Sequence, residues 1–195
     1  MTAIIRPAVG VVVLLTLLLG LAVPLAFTGA AGIVFPTQAG GSLVERDGKV
    51  VGSALLGQNF TSARYFLPRP SATTEADPEN QGSTRAAPYN AASSAASQLG
   101  PTSEALLSAV RERIASFGGG PVPADGAYAS GSGLDPHISP ENAARQVRRV
   151  AAARGLPEAR LAALVARHTE GRQFGLFGEP RVNLLALNLA LDALR

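Results

Sequence analysis

Hydrophobic residues are distributed along this chain in two different ways. From Ala8 to Phe27 the run AVGVVVLLTLLLGLAVPLAF carries no charge and only one polar side chain, Thr16. A stretch of about twenty such residues spans about 30 Å as a helix, the hydrocarbon thickness of a bilayer. It predicts a transmembrane helix over 8–27. Beyond Gly41 the apolar residues recur at intervals instead. Ser42–Arg46 and Lys49–Ser53 flank Asp47-Gly48, a pair suited to the two positive-φ positions of a type I′ turn. A β-hairpin is predicted there, its second strand running on through Leu56 towards Phe60. Leu106, Leu107, Val110 and Ile114 form an apolar stripe that predicts a helix over 102–117, stopped by Gly118-Gly119-Gly120. Ala143, Ala144, Val147, Val150 and Ala151 predict another over 140–153. Ser139 is its N-cap, Pro140 its first residue and Gly155 its C-cap. Leu161, Leu164 and Val165 mark a helix over 157–168. The alternating Leu185, Leu187, Leu189 and Leu191 would also suit a strand, but length and Ala/Leu richness favour a helix over 182–194. A short strand is predicted near Ala124–Ala129, and Thr73–Ser97 is a long aperiodic loop or cap with Tyr89 to pin it. The fold class is α+β, one N-terminal transmembrane helix followed by a compact domain with a β-hairpin and about four helices.

Charge sets the direction of the span. Arg6 precedes it and no charge follows until Glu45, which places residues 1–7 in the cytoplasm. Residues 28–41 then read as a Gly/Ala-rich tether, and 42–195 as an extracytoplasmic domain. A cleaved leader ending at Thr28-Gly29-Ala30 is the alternative. The apolar run is longer than the usual core of such a leader, which favours a retained anchor.

Composition narrows the chemistry. The chain has no cysteine and two histidines, His137 and His168, so disulfides and thiolate metal sites are excluded. A formal net charge of +3 gives no case for nucleic acid. Arg145, Arg148, Arg149, Arg154, Arg160 and Arg167 make two helices basic outside, which reads as a solvated face. Arg69 lies between Pro68 and Pro70 in a stretch that reads first as a proline-stiffened passage from core to loop, the alternative being a guanidinium held out for a partner or for an internal carboxylate. The loop Ser130-Gly131-Ser132-Gly133-Leu134-Asp135-Pro136-His137 contains the residue types of a hydrolase triad in Ser132, Asp135 and His137. They are crowded onto one loop, whereas a triad draws its members from separate elements. Asp135 is therefore expected as a turn acceptor and His137 as a structural residue. The same glycines precede a helix, yet no Gly-Lys-Ser/Thr follows, and Lys49 is the chain's one lysine. No ligand cluster for a metal stands out.

Several motifs in fixed order then carry a resemblance. They are Gly57-Gln58-Asn59-Phe60, Tyr65-Phe66-x-x-Arg69-Pro70-Ser71-Ala72, Tyr89-Asn90, Ser130–Ser139, and Gly178-Glu179-Pro180-Arg181-Val182-Asn183. With the preceding span they resemble the KdpC family, the small single-span subunit of the bacterial Kdp potassium-uptake P-type ATPase. The stretch Ser94-Ala95-Ala96-Ser97-Gln98-Leu99 departs from the family's glycine-richer Ser-Gly-Gly-Ser-Asn-Leu pattern. The resemblance implies a subunit without catalytic residues of its own, residing in the bacterial inner membrane. It implies as partners a potassium-selective channel-like subunit, a P-type pump subunit, a second small single-span subunit and membrane lipid. It also implies stabilisation of the assembly and a catalytic-chaperone role that raises the pump's affinity for ATP. No intrinsic cofactor is implied; ATP acts through the complex, and Gln58 matches a glutamine to which nucleotide contact is attributed. An exported hydrolase using Ser132 and His137, and an independent secreted binding module, are the alternatives.

Overall fold

The computed structural model describes residues 2–118 and 120–194, which fall into two compact units meeting at Val51 and Gly52. In the first, Thr2–Leu17 (α1) and Val23–Val34 (α2) are joined by a π-wound segment, Leu18–Ala22, into one unbroken rod. Pro24 explains the wider turn. It has no N–H for the Gly20 carbonyl and its ring crowds that oxygen, so the turn before it opens. The rod runs past Phe27 to Val34, so most of Gly29–Gly41 is helical where an open tether was expected. The helix ends at Phe35, at φ −132° and ψ 60°, since a residue preceding proline is disfavoured in the helical region. Pro36–Ala39 (α3) adds a last short turn.

Leu43–Arg46 (β1) and Lys49–Ser53 (β2) form the expected hairpin. Asp47 and Gly48 hold φ of 53° and 72°, as a type I′ turn requires. β2 stops at Ser53 rather than continuing to Phe60. The Ser53 hydroxyl accepts from the Leu55 N–H at 3.1 Å and its carbonyl from the Leu56 N–H, which turns the chain there.

The second unit is built around three helices and a small sheet. His137–Ile138 (β5), Thr169–Glu170 (β6) and Arg181–Asn183 (β7) form an antiparallel sheet of order β5-β7-β6. Pro140–Arg154 (α6), Glu158–Arg167 (α7) and Leu184–Asp192 (α8) pack with it. Phe66, Val150, Leu161, Val182, Leu187 and Leu191 are fully enclosed in their midst. The caps of α6 are those expected: Ser139 Oγ accepts from the Asn142 N–H at 3.0 Å, and Gly155 closes the helix at φ 65°. Val182 and Asn183 belong to β7 rather than to the last helix. Asn183 keeps extended backbone because its side chain caps α8, accepting from the Ala186 N–H at 3.0 Å.

Thr74–Ala76 (β3) and Thr84–Ala86 (β4) pair antiparallel within the long stretch expected to be aperiodic. Glu104–Ser116 (α4) forms as predicted but buries none of its residues, leaving Leu107 and Ile114 exposed. Gly118 and Gly120 beyond it are left-handed, at φ 75° and 76°, while Gly119 lies outside the described residues. The strand expected near Ala124–Ala129 is instead a helical turn, Ala124–Ala127 (α5), opened by Pro123. Its Asp125 carboxylate accepts from the Ser139 N–H and hydroxyl and from the Asn142 amide, tying the turn to the start of α6.

Candidate functional site

Tyr65-Phe66-Leu67 enters the core outside any helix or strand, so its buried backbone groups need partners from elsewhere. Side chains supply them. Asn188 of α8 accepts from the Phe66 N–H and donates to the Phe66 carbonyl, both at 3.0 Å. Gln146 of α6 does the same for Leu67, at 2.7 and 3.1 Å. Each primary amide thus imitates the paired hydrogen bonds of a neighbouring strand. Two arginines extend the clamp. Arg149 donates to the carbonyls of Ala63 and Tyr65, and Arg154 to that of Arg64 and to the Asp192 carboxylate. Arg154 also lies 4.9 Å from the centre of the Tyr65 ring, whose hydroxyl donates to Asp192. Arg145 reaches the carbonyls of Pro121 and Phe117. These three arginines are therefore not the solvated face expected of them; Arg148, Arg160 and Arg167 are exposed.

Downstream of this clamp the sequence motifs meet. Ser71 Oγ donates to the Gly133 carbonyl at 2.7 Å and accepts from the Tyr89 N–H at 3.1 Å. Tyr89 donates its hydroxyl to the Arg69 carbonyl at 2.8 Å, and its own backbone is left-handed, at φ 63°. The Asn90 N–H donates to Thr73 Oγ1, and its side-chain amide to the Thr74 carbonyl. Gly57 donates its N–H to the Leu134 carbonyl at 2.8 Å. A Cβ there would meet the Tyr89 ring and stand 2.6 Å from the Asp135 carbonyl oxygen, so a side chain has no room. Four stretches far apart in the chain are locked into one joint.

Its charges are matched internally. Arg69 Nη1 lies 2.7 Å from Asp135 Oδ2, the internal carboxylate being the one of its two expected roles that the fold realises. Asp135 Oδ1 accepts from the His137 N–H at 3.0 Å, with the ring Nδ1 3.6 Å away. Burial raises the Asp135 pKa, but the hydrogen bonds from His137 and the Arg69 guanidinium outweigh it and hold the carboxyl below its ordinary value. Burial, with the Asp135 charge adding to it, pushes Tyr89 well above the ordinary phenol, so it remains a neutral donor. A carboxylate depressed in the fold contributes stability that is present above its unfolded pKa, near 4, and is lost as pH falls through the folded value. Asp135→Asn is thus expected to cost about 2 kcal/mol at pH 7. In denaturant titrations of the full-length chain in detergent, the gap from the native protein should close as the pH falls towards 3. A gap of constant size would show that the ion pair carries none of it.

Similarity to known proteins can be set beside this geometry. The sequence model of the KdpC family, described as K+-transporting ATPase, c chain, matches residues 5–193. The chain belongs to the KdpC family. A Potassium-transporting ATPase KdpC subunit of Methylobacterium nodulans is 62% identical over 193 residues, covering 97% of this chain and 96% of that protein. One from Rhodopseudomonas palustris is 58% identical over 193 residues, with 97% of each chain covered. One from Bradyrhizobium diazoefficiens is 55% identical over 192 residues, covering 96% of each.

Most of the residues singled out by the KdpC motifs serve the joint or the clamp. Phe66, Arg69, Ser71, Tyr89, Asn90, Gly133, Asp135 and His137 do so through the contacts given, with Pro70 between two of them. Pro136 offers its carbonyl to the Leu184 N–H, which starts α8 beside β5. Asn183 donates to the Ala54 carbonyl at 2.9 Å, and Arg181 pairs across the sheet with Glu170 at 3.0 Å. Phe60 stacks near Tyr65 with ring centres 5.4 Å apart, while Asn59 is exposed. Gln58 lies against Gly52, where a Cβ would run into its amide. Ser132 Oγ accepts from the Leu134 N–H and its carbonyl from Ala95 N–H, so it closes its own loop; Gly131 is exposed. Ser130 is buried with no partner for its hydroxyl. Sequence reading passed over Gln146, Asp125 and Thr73, and gave Asn188 no role. The signal for Gln146 was available: with Asn142, four residues earlier, it puts amides on the buried side of α6, where they bond each other at 3.0 Å.

Proposed function

We propose that this chain is the anchored, accessory subunit of an ATP-driven potassium-uptake complex, stabilising the assembly and raising the pump subunit's affinity for ATP. Family membership and the names of the relatives support the setting. The observation that carries the accessory role is the joint itself. Arg69, Ser71, Tyr89, Asp135 and His137, the residues best suited to chemistry, are engaged with one another or with backbone, as in a part whose task is to hold a shape. The hydrophobic rod with Arg6 before it supports an anchor in the bacterial inner membrane, N-terminus inside and domain outside. The partners on this reading are a potassium-selective channel-like subunit, a P-type pump subunit, a second single-span subunit and lipid. ATP then acts through the complex, and the packing of Gln58 against Gly52 favours a structural use of that side chain.

Deletion of this chain tests the reading. Potassium-stimulated ATPase activity should be lost from membranes, and the two large subunits should no longer purify together. Where residual activity can be measured, its KM for ATP should rise several-fold, while Gln58→Ala in the complete complex should leave KM within about twofold. Undiminished assembly and activity after deletion would end the proposal.

A further inference from the structure

α4 carries an apolar stripe that its own position leaves uncovered. Leu107, Val110 and Ile114 share one side of the helix, and Leu107 and Ile114 are 46 and 37% exposed. Only its foot is pinned. Phe117, which ends the helix, packs over Gly126, where a Cβ would stand 3.0 Å from the ring. Arg113 Nη1 donates to the Ala127 carbonyl at 2.9 Å. Left-handed Gly118 follows Phe117, and Gly100-Pro101 precedes the Ser103 cap. Glycine on both sides lets a helix change direction at little steric cost.

Beside that foot runs an open groove of about 940 Å³ between α6 and α7, with Phe117 at its edge. Val147 and Val165 lie buried beneath it, and Ala144, Ala159, Ala162 and Ala166 line it with exposed methyl groups. Side chains this short let a third helix approach closely. The dimensions agree. Leu107 to Ile114 covers about 10 Å of helix, and Pro140 to Arg148, which bound the groove along α6, cover about 12 Å.

We propose that α4 is a hinged flap that swings about Phe117 and seats Leu107, Val110 and Ile114 in the α6–α7 groove. Both halves of the contact belong to this chain and already meet at Phe117. The tether therefore gives α4 an effective concentration at the groove that a separate molecule does not have. Closure takes two large aliphatic side chains and the alanine lining out of water. It gives up the Arg113 bond to Ala127. The two positions thus exchange different contacts, as hinge motions of packed elements do. The open position leaves the α6–α7 groove accessible, and the closed one masks it. This device stands apart from the accessory role proposed above.

The chain has no cysteine, so an engineered pair reports the closed position directly. In the full-length chain in detergent, Leu107→Cys is combined in turn with Ala159→Cys, Ala162→Cys and Ala166→Cys. A disulfide requires Cα atoms within about 7 Å. Mild oxidation should link at least one of these pairs within the monomer. Its yield should be at least about tenfold above that obtained with Ser108→Cys, which lies about 100° round the helix from Leu107. Ala162→Glu puts a charge into the groove at an exposed position. It should speed amide hydrogen exchange across α4 about tenfold while leaving the melting temperature of the domain unchanged. No intramolecular disulfide in any pair, equal yields with Ser108→Cys, links between two copies in place of links within one, or unaltered exchange in Ala162→Glu would each overturn the flap.

Discussion

Asn188→Leu is expected to lower the stability of the domain by about 3 kcal/mol, although leucine is similar in size and suits α8 better than asparagine does. The Asn188 side chain is 1% exposed and pairs with both backbone groups of Phe66. Leucine would strand a buried N–H and a buried carbonyl, each costing about 1–3 kcal/mol. Its own burial would offset part of that, by about 2 kcal/mol. Thermal unfolding of the full-length chain in detergent should show a midpoint about 10 °C lower. A drop of less than a third of that would mean that Phe66 finds other partners and that the amide clamp is dispensable. Asn188→Asp should fare no better, since a carboxylate can accept from Phe66 but cannot donate to it.

Gly133→Ala should cost a similar amount for a different reason. Gly133 holds φ 69°, where an L side chain pays about 1–2 kcal/mol in strain. A Cβ there would also lie 2.6 Å from the Thr73 methyl and 2.7 Å from the Ala95 carbonyl oxygen, closer than real contacts allow. Overpacking of this kind adds about 1–3 kcal/mol. Gly155→Ala is the natural control: its φ is 65° but nothing surrounds a Cβ there, so strain alone should appear, at about 1 kcal/mol. Thr73→Ser keeps the hydroxyl that bonds the Ala87 carbonyl while removing the obstructing methyl. Combined with Gly133→Ala it should recover part of the loss in a double-mutant cycle. Equal losses at the two glycines would refute close packing of the Ser71, Thr73 and Gly133 segments.

What could be read from the sequence was mostly local. Asp47-Gly48, Ser139-Pro140 and Gly155 each act on the few residues beside them, and each takes the conformation its chemistry dictates. The long apolar run could be recognised without knowing any contact. Readings failed where a distant partner decides. Nothing within Tyr65-Phe66-Leu67 says that its ladder is made of side-chain amides more than 75 residues away. Arginines on the outside of α6 looked solvated because the loop carbonyls they bind leave no trace in helical periodicity. At 182–183 the hydrophobic pattern continues that of α8 and reads as helix, yet pairing with β5 and β6 holds the two residues extended. The site fared likewise. The motifs named most of the residues of the joint, and the crowding of Ser132, Asp135 and His137 onto one loop already spoke against a triad, but the partner of Asp135 was not legible. Arg69, which occupies that carboxylate, lies outside the triple.

The apolar rod Ala3–Val34 is 32 residues long, about 48 Å against about 30 Å of hydrocarbon. Absorbing the whole excess by inclination would take about 50°, more than the range of about 0–40° that spanning helices adopt. In the anchored state proposed above, some turns therefore stand clear of the acyl chains. A helix with this much hydrophobic mismatch responds to the leaflet around it, drawn deeper by longer acyl chains and lifted by shorter ones. On the proposed anchoring, lipid chain length thereby becomes a variable in how firmly the rod is held.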